Sequence, residues 1–116
     1  MRCIVVKSHI SKFPHPLRFR AGDRLQLGRR DDSHPGWVWV TDTAGNSGWA
    51  PELILTPLGE DTALASEDYD ATELNTSLGE ELIISRELAG WYWVRNQAGS
   101  GGWVPVETTS KTANQV

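Results

Sequence analysis

Gly36-Trp37-Val38-Trp39-Val40 and Gly90-Trp91-Tyr92-Trp93-Val94 are one five-residue phrase written twice, 54 residues apart. The same displacement carries Gly45 to Gly99, Gly48-Trp49 to Gly102-Trp103 and Pro51 to Pro105. All six tryptophans of the 116-residue chain fall in these two sets. Upstream, Leu17, Gly22-Asp23 and Leu25 match Leu74, Gly79-Glu80 and Leu82 at a displacement of 57. The difference of three is confined to Arg29–Pro35 against Arg86–Ala89, turn-rich sequence where insertions cost little. Self-similarity of this length, with indels only in loops, marks two homologous modules.

Within each copy the period is that of strands. Leu25-Gln26-Leu27 and Leu82-Ile83-Ile84 are short β-prone runs, and Trp37–Val40 and Trp91–Val94 are rich in aromatic and β-branched residues. Thr43-Ala44-Gly45-Asn46 and Gln97-Ala98-Gly99-Ser100 read as hairpin turns that lead into Gly48-Trp49-Ala50 and Gly102-Trp103-Val104, each ended by proline. No segment has the spacing of an amphipathic helix. The fold class is therefore all-β, with two small five-stranded barrels in tandem. The expected boundaries are residues 1–55 for the first module, 56–62 for a linker, 63–109 for the second module and 110–116 for a flexible tail.

Composition narrows the function. With 39% hydrophobic and 22% charged residues the chain is neither disordered nor a membrane protein by its bulk character. No apolar run approaches the ~20 residues of a spanning helix, and Met1–Lys7 is too short in apolar sequence for a signal peptide. A cytoplasmic location without a membrane partner is the expectation. The single cysteine, Cys3, leaves no disulfide framework, and His9, His15 and His34 lack metal-ligand spacing, so no metal or cofactor is expected.

Catalytic signatures are also missing. The sequence holds no Gly-x-Ser-x-Gly, no phosphate-cradling glycine loop ending in Lys-Ser/Thr and no His-Glu-x-x-His. Cys3 with His9 or His15 is the one nucleophile and base combination available, and a small cysteine at the start of a strand reads as inert packing. The expectation is a protein that is not an enzyme.

Ala65-Ser66-Glu67-Asp68-Tyr69-Asp70-Ala71, Glu73-Leu74, Gly79-Glu80-Glu81-Leu82, Gly90-Trp91-Tyr92 and Gly102-Trp103-Val104-Pro105 follow one another in an order and spacing that resembles the Src-homology-3 (SH3) family. The first copy resembles it from Leu17 to Pro51. The resemblance implies two SH3-like domains, bacterial in type, that bind polypeptide segments, with proline-rich peptides in the polyproline II conformation as the family's ligand. It implies Tyr69, Trp91 and Pro105 as groove walls in the second module, and Trp37 and Pro51 in the first. Glu67 and Thr108 stand where the family has further tyrosines, as do Ser8, Ile10 and Ile54 in the first copy, so each groove is incomplete. Glu73 occupies the position of the acidic residue that meets a ligand Arg or Lys, where the first copy has Pro16.

Strand alternation sets Trp37 and Trp39 opposite Val38 and Val40, and Trp91 and Trp93 opposite Tyr92 and Val94. The face carrying the valines is the core candidate, which sends the indoles outward. Trp37 and Trp91 are assigned to ligand contact, while Trp39, Trp49, Trp93 and Trp103 also fit packing beneath loops. Charge is partitioned too, with +3 in residues 1–55 and −7 in residues 56–116. A peptide or protein ligand is thus the leading partner. The alternative is a structural role in which the aromatic faces are buried between modules or in a homodimer, and nucleic-acid or cell-wall binding ranks below both.

Overall fold

The structure, a computed structural model, describes residues 1–12 and 16–112. It is all-β, as the strand-like periods indicate. The strands are β1 Arg2–Val5, β2 Arg18–Phe19, β3 Arg24–Arg30, β4 Trp37–Thr41, β5 Ser47–Pro51, β6 Leu55–Pro57, β7 Thr62–Ala65, β8 Tyr69–Asp70, β9 Glu81–Leu88, β10 Trp91–Arg95, β11 Gly101–Pro105 and β12 Thr109–Lys111. Single 3-10 turns, Glu52–Ile54 and Val106–Thr108, follow the prolines that end β5 and β11. Two five-stranded antiparallel sheets run β5-β4-β3-β7-β6 and β11-β10-β9-β1-β12, and β2 pairs with β8 in a third. Neither five-stranded sheet closes on itself among the described pairings. No helix among the described residues is long and apolar enough to cross a membrane.

The division into modules differs from the one expected. One compact unit is His15–Ala71, and the other combines Met1–Pro14 with Thr72–Val116. Strand β7, placed by its sequence at the head of the second module, pairs with β3 and β6 of the first. Strand β1 inserts between β9 and β12 of the second. The reason lies in residues 56–62, which form a hairpin rather than a linker. Thr56 and Pro57 lie opposite Leu64 and Ala63, and the Leu58 amide donates to the Thr62 carbonyl at 2.9 Å. Strands this close in sequence pair with each other before anything more distant, and β1 fills the corresponding place in the other unit. The expected tail is partly strand, since Ser110 and Lys111 lie opposite Ile4 and Cys3. Residues 113–116 lie outside the described residues.

Alternation holds in β10, where Tyr92 and Val94 alternate with the less buried Trp91 and Trp93, but not fully in β4, where Trp37 is buried along with Val38 and Val40 instead of turning outward. Val38, Val40, Tyr92 and Val94 are buried. In the discontinuous unit Cys3, Val5, Leu74, Leu82, Tyr92, Val94 and Val104 form one core. Each large aliphatic member contributes ~1.5–3 kcal/mol by leaving water. The Cys3 thiol is fully enclosed, and burial pushes its pKa up, against a smaller opposing effect of its hydrogen bond with Thr109. Both units carry a bulge at the same place, with Ser85 unpaired opposite Trp93–Val94 and Gly28-Arg29 opposite Trp39. Such insertions increase local twist and bend the sheet.

Candidate functional site

In the discontinuous unit, three separate segments meet beside Trp91. β10 and β11 set Trp91 directly opposite Pro105. Glu73 comes from the strand-like arm before β9, where it bridges to Trp103 and where the Leu74 amide donates to the Trp103 carbonyl at 3.0 Å. His9 comes from the arm after β1, held by reciprocal backbone hydrogen bonds with Thr76 at 3.2 and 2.8 Å. The His9 Nε2–H donates to Glu73 Oε1 at 2.7 Å, with side chains 18% and 15% exposed. The His9 ring meets Trp91 edge-on, centroids 5.7 Å apart at 79°. A carboxylate, an imidazole and a half-buried indole thus share one partly sheltered spot. Pro105 itself is buried, and its carbonyl accepts from Thr108 Oγ1 at 2.7 Å.

The contiguous unit holds the matching set. Trp37 lies opposite Pro51, and Tyr69, expected beside Trp91, belongs here instead, across from Phe19 on β2. Its ring packs on Phe19 at 5.3 Å between centroids, and its hydroxyl donates to the Trp49 carbonyl at 3.4 Å. Trp37 is 7% exposed, Tyr69 8% and Pro51 under 2%, so this set is closed. Of the residues singled out in the sequence, Glu73, Trp91 and Pro105 lie in one unit, and Trp37, Pro51 and Tyr69 in the other.

The resemblance sets Ser8 and Ile10 at the ring positions and passes over His9 between them. The pairings move the register by one. Cys3 faces Leu82 as Ala63 faces Leu25, and the Gly79 amide donates to the Val5 carbonyl as the Gly22 amide does to that of Ala65. His9 is therefore the counterpart of Tyr69 at a displacement of 60, and Ile10 points to solvent at 66% exposure. The signal available was the alternation Cys3, Val5 against Ala63, Ala65, too short to fix register without the strand partners.

The remaining indoles pack against each other. Trp39 lies opposite Trp49, and Trp93 opposite Trp103. Both pairs are edge-to-face, with centroids 5.2 and 5.4 Å apart at 79° and 80°. Cross-strand aromatic pairs of this geometry contribute ~0.5–1.5 kcal/mol beyond area burial. Arg29 lies over the Trp49 ring at 5.4 Å. Grouped by the observed units, the charge partition reverses its sign and narrows. Residues 15–71 carry five arginines against ten acidic residues, a net of −5, while the discontinuous unit carries six basic residues against five, a net of +1. No family model, curated protein or solved structure matches the chain.

Proposed function

We propose that the protein is a non-enzymatic interaction module made of two SH3-like units, and that the discontinuous unit binds a polypeptide segment at Trp91, His9 and Glu73. The observation that carries this reading is the meeting of a half-buried indole, a carboxylate and an imidazole from three chain segments. An indole face gives an extended peptide flat apolar area at low conformational cost, and a partly sheltered carboxylate attracts a cation more strongly than one in bulk water. The ligand this favours is an extended segment carrying Arg or Lys next to apolar or proline residues.

Titration with a proline-rich peptide carrying one arginine, followed by tryptophan fluorescence, tests the reading against the same peptide with glutamine in place of arginine. The arginine peptide should bind more tightly by about tenfold, equivalent to ~1.4 kcal/mol. Trp91→Ala should abolish the signal. Equal affinity for the two peptides, or a response unaffected by Trp91→Ala, counts against the site.

For the contiguous unit, the structural alternative has a specific observation in its favour. Trp37, Pro51 and Tyr69 are all buried within the chain. We propose that this unit is a scaffold and that its aromatic set contributes stability rather than recognition. Acrylamide should then quench Trp91 more readily than Trp37 in single-tryptophan variants.

A further inference from the structure

Residues 1–12 are bound to the discontinuous unit only by non-covalent contacts and by a connection that runs through the whole of the other unit. Their contacts are those of an inserted strand. β1 pairs with β9 on one side and β12 on the other, and Cys3 and Val5 are buried at 0% and 1% exposure. The arm that follows is fixed by the His9 hydrogen bond to Glu73 and by the Ser11 amide donating to Asn75 Oδ1 at 2.7 Å. Between this segment and the strands it completes lie the 57 residues of His15–Ala71.

We infer that residues 1–12 are an exchangeable element, and that a second copy of this chain can supply them, so that His9 of one copy completes the Glu73–Trp91 site of another. The strand contacts are the same whether the segment comes from its own chain or from an identical one. Only the tether differs, and its advantage is an effective concentration, which falls as the connection lengthens and here is set by a path through all of His15–Ala71. Protein concentration during folding therefore decides between the closed monomer and the exchanged pair.

The occupant is specified by shape and chemistry. The sister strand β7 presents Ala63 and Ala65 where β1 presents Cys3 and Val5, and so would leave space among Leu82, Tyr92 and Val94. It would also place Tyr69 where His9 meets Glu73, and would take Tyr69 away from Phe19. Each first strand suits the unit that holds it, which directs exchange to residues 1–12 of another copy rather than to the sister segment. This inference does not depend on whether the site binds a peptide.

The test uses two full-length single variants, Ile4→Cys and Glu81→Cys. Positions 4 and 81 are directly opposed. Their backbone amides do not exchange hydrogen bonds in the alternation that runs through the neighbouring bonded pairs, and such a pair brings Cα atoms to ~4.5 Å, within disulfide reach. Neither variant can join positions 4 and 81 within itself. Unfolded together, refolded at a series of concentrations and then oxidised, the mixture should give a heterodimer whose 4–81 disulfide is located by mass spectrometry. Its yield should rise at least tenfold from micromolar to near-millimolar protein, with the native tryptophan spectrum retained. Absence of that disulfide at every concentration, a yield independent of concentration, or a cross-linked product without the native spectrum overturns the inference. Wild-type protein taken through the same cycle gives a second readout by light scattering. Dimer at high concentration supports exchange, and monomer throughout refutes it even if a variant misfolds.

Discussion

The two units use one strand plan and fill it differently. Where the contiguous unit stacks Phe19 on Tyr69, the discontinuous unit places Thr76 beside His9 and ties His9 to Glu73. Where the first buries Val38 and Ile54, the second buries Tyr92 and Thr108. Trp37 is sealed at 7% exposure, whereas its counterpart Trp91 remains half-buried. The first unit carries a net charge of −5 and the second +1. The same positions of the repeat thus serve opposite ends. One copy buries its aromatic set, and the other has a polar pair where the first has a ring and leaves an indole within reach of solvent.

The sharpest way to break this comparison is to remove the matched indoles. Trp37→Ala should cost ~3–5 kcal/mol of stability, as expected for a large buried aromatic truncated in a packed site. Trp91→Ala should cost clearly less in chemical denaturation yet abolish binding of the arginine peptide. Similar losses of stability for the two variants would show that the units are alike and that the open site has been misassigned.

A second contrast sits at paired glycines. A Cβ on Gly102 would lie 2.7 Å from the Leu74 amide nitrogen and 3.0 Å from its Cβ, whereas one on Gly48 would meet the Leu17 Cβ at 3.0 Å. Backbone cannot yield as a side chain can, and the Leu74 amide is bonded to the Trp103 carbonyl in the arm that carries Glu73. Gly102→Ala should therefore cost ~1–3 kcal/mol by overpacking and Gly48→Ala less. Amide hydrogen exchange, resolved by residue, should show the loss of protection around Leu74 in the first variant only.

Much of this plan was legible in the chain. The repeat, the strands around each Trp-x-Trp, the hairpin turns and the inward valines all follow from periodicity and turn chemistry. Which unit each first strand joins was not legible. Arg2–Val5 and Thr62–Ala65 are both four-residue strands with alternating small buried residues, and either could be written into either sheet. The deciding interaction is the tight hairpin at Leu58–Thr62, whose composition reads equally well as a linker. The site inherited that ambiguity. The sequence alone puts Tyr69 beside Trp91 and does not point to His9, because a one-residue shift in a short strand is invisible until its hydrogen bonds are known. Glu73, Trp91 and Pro105, which the resemblance implies together, lie in one unit because they sit in segments that do not change partners between the two modules.

The His9–Glu73 pair offers an intermediate effect. Glu73→Ala leaves a partly buried imidazole N–H without its acceptor, which should cost ~1–2 kcal/mol. It should also remove the preference for the arginine peptide over its glutamine form. Thermal unfolding and the paired titration check the two parts separately. A loss of stability without a change in preference would confine Glu73 to a structural role.

The smallest effect is expected at the matched hairpin turns, and it is one of pH. In both, the amide of the first residue donates to the carbonyl four residues on, Asp42 to Asn46 at 2.8 Å and Asn96 to Ser100 at 2.9 Å. The first side chain accepts in return, from the Asn46 amide at 2.9 Å and the Ser100 amide at 3.0 Å. One turn uses a carboxylate and the other a neutral amide. Slight desolvation pushes the Asp42 pKa up, but hydrogen bonds from Asn46, Ala44 and Gly45 outweigh it and hold the pKa below its ordinary 3.8. A carboxyl group that is more acidic when folded stabilises the fold above its unfolded pKa, and that contribution is lost as pH falls through the folded value. Asp42→Asn should therefore change stability at neutral pH by about 0.5 kcal/mol or less, while flattening part of the decline below pH ~4. Asn96→Asp should introduce the same acid sensitivity into the other unit. Residue-resolved hydrogen exchange at neutral and acidic pH would follow each turn separately, and equal acid sensitivity of the two turns in the wild type would refute the contrast.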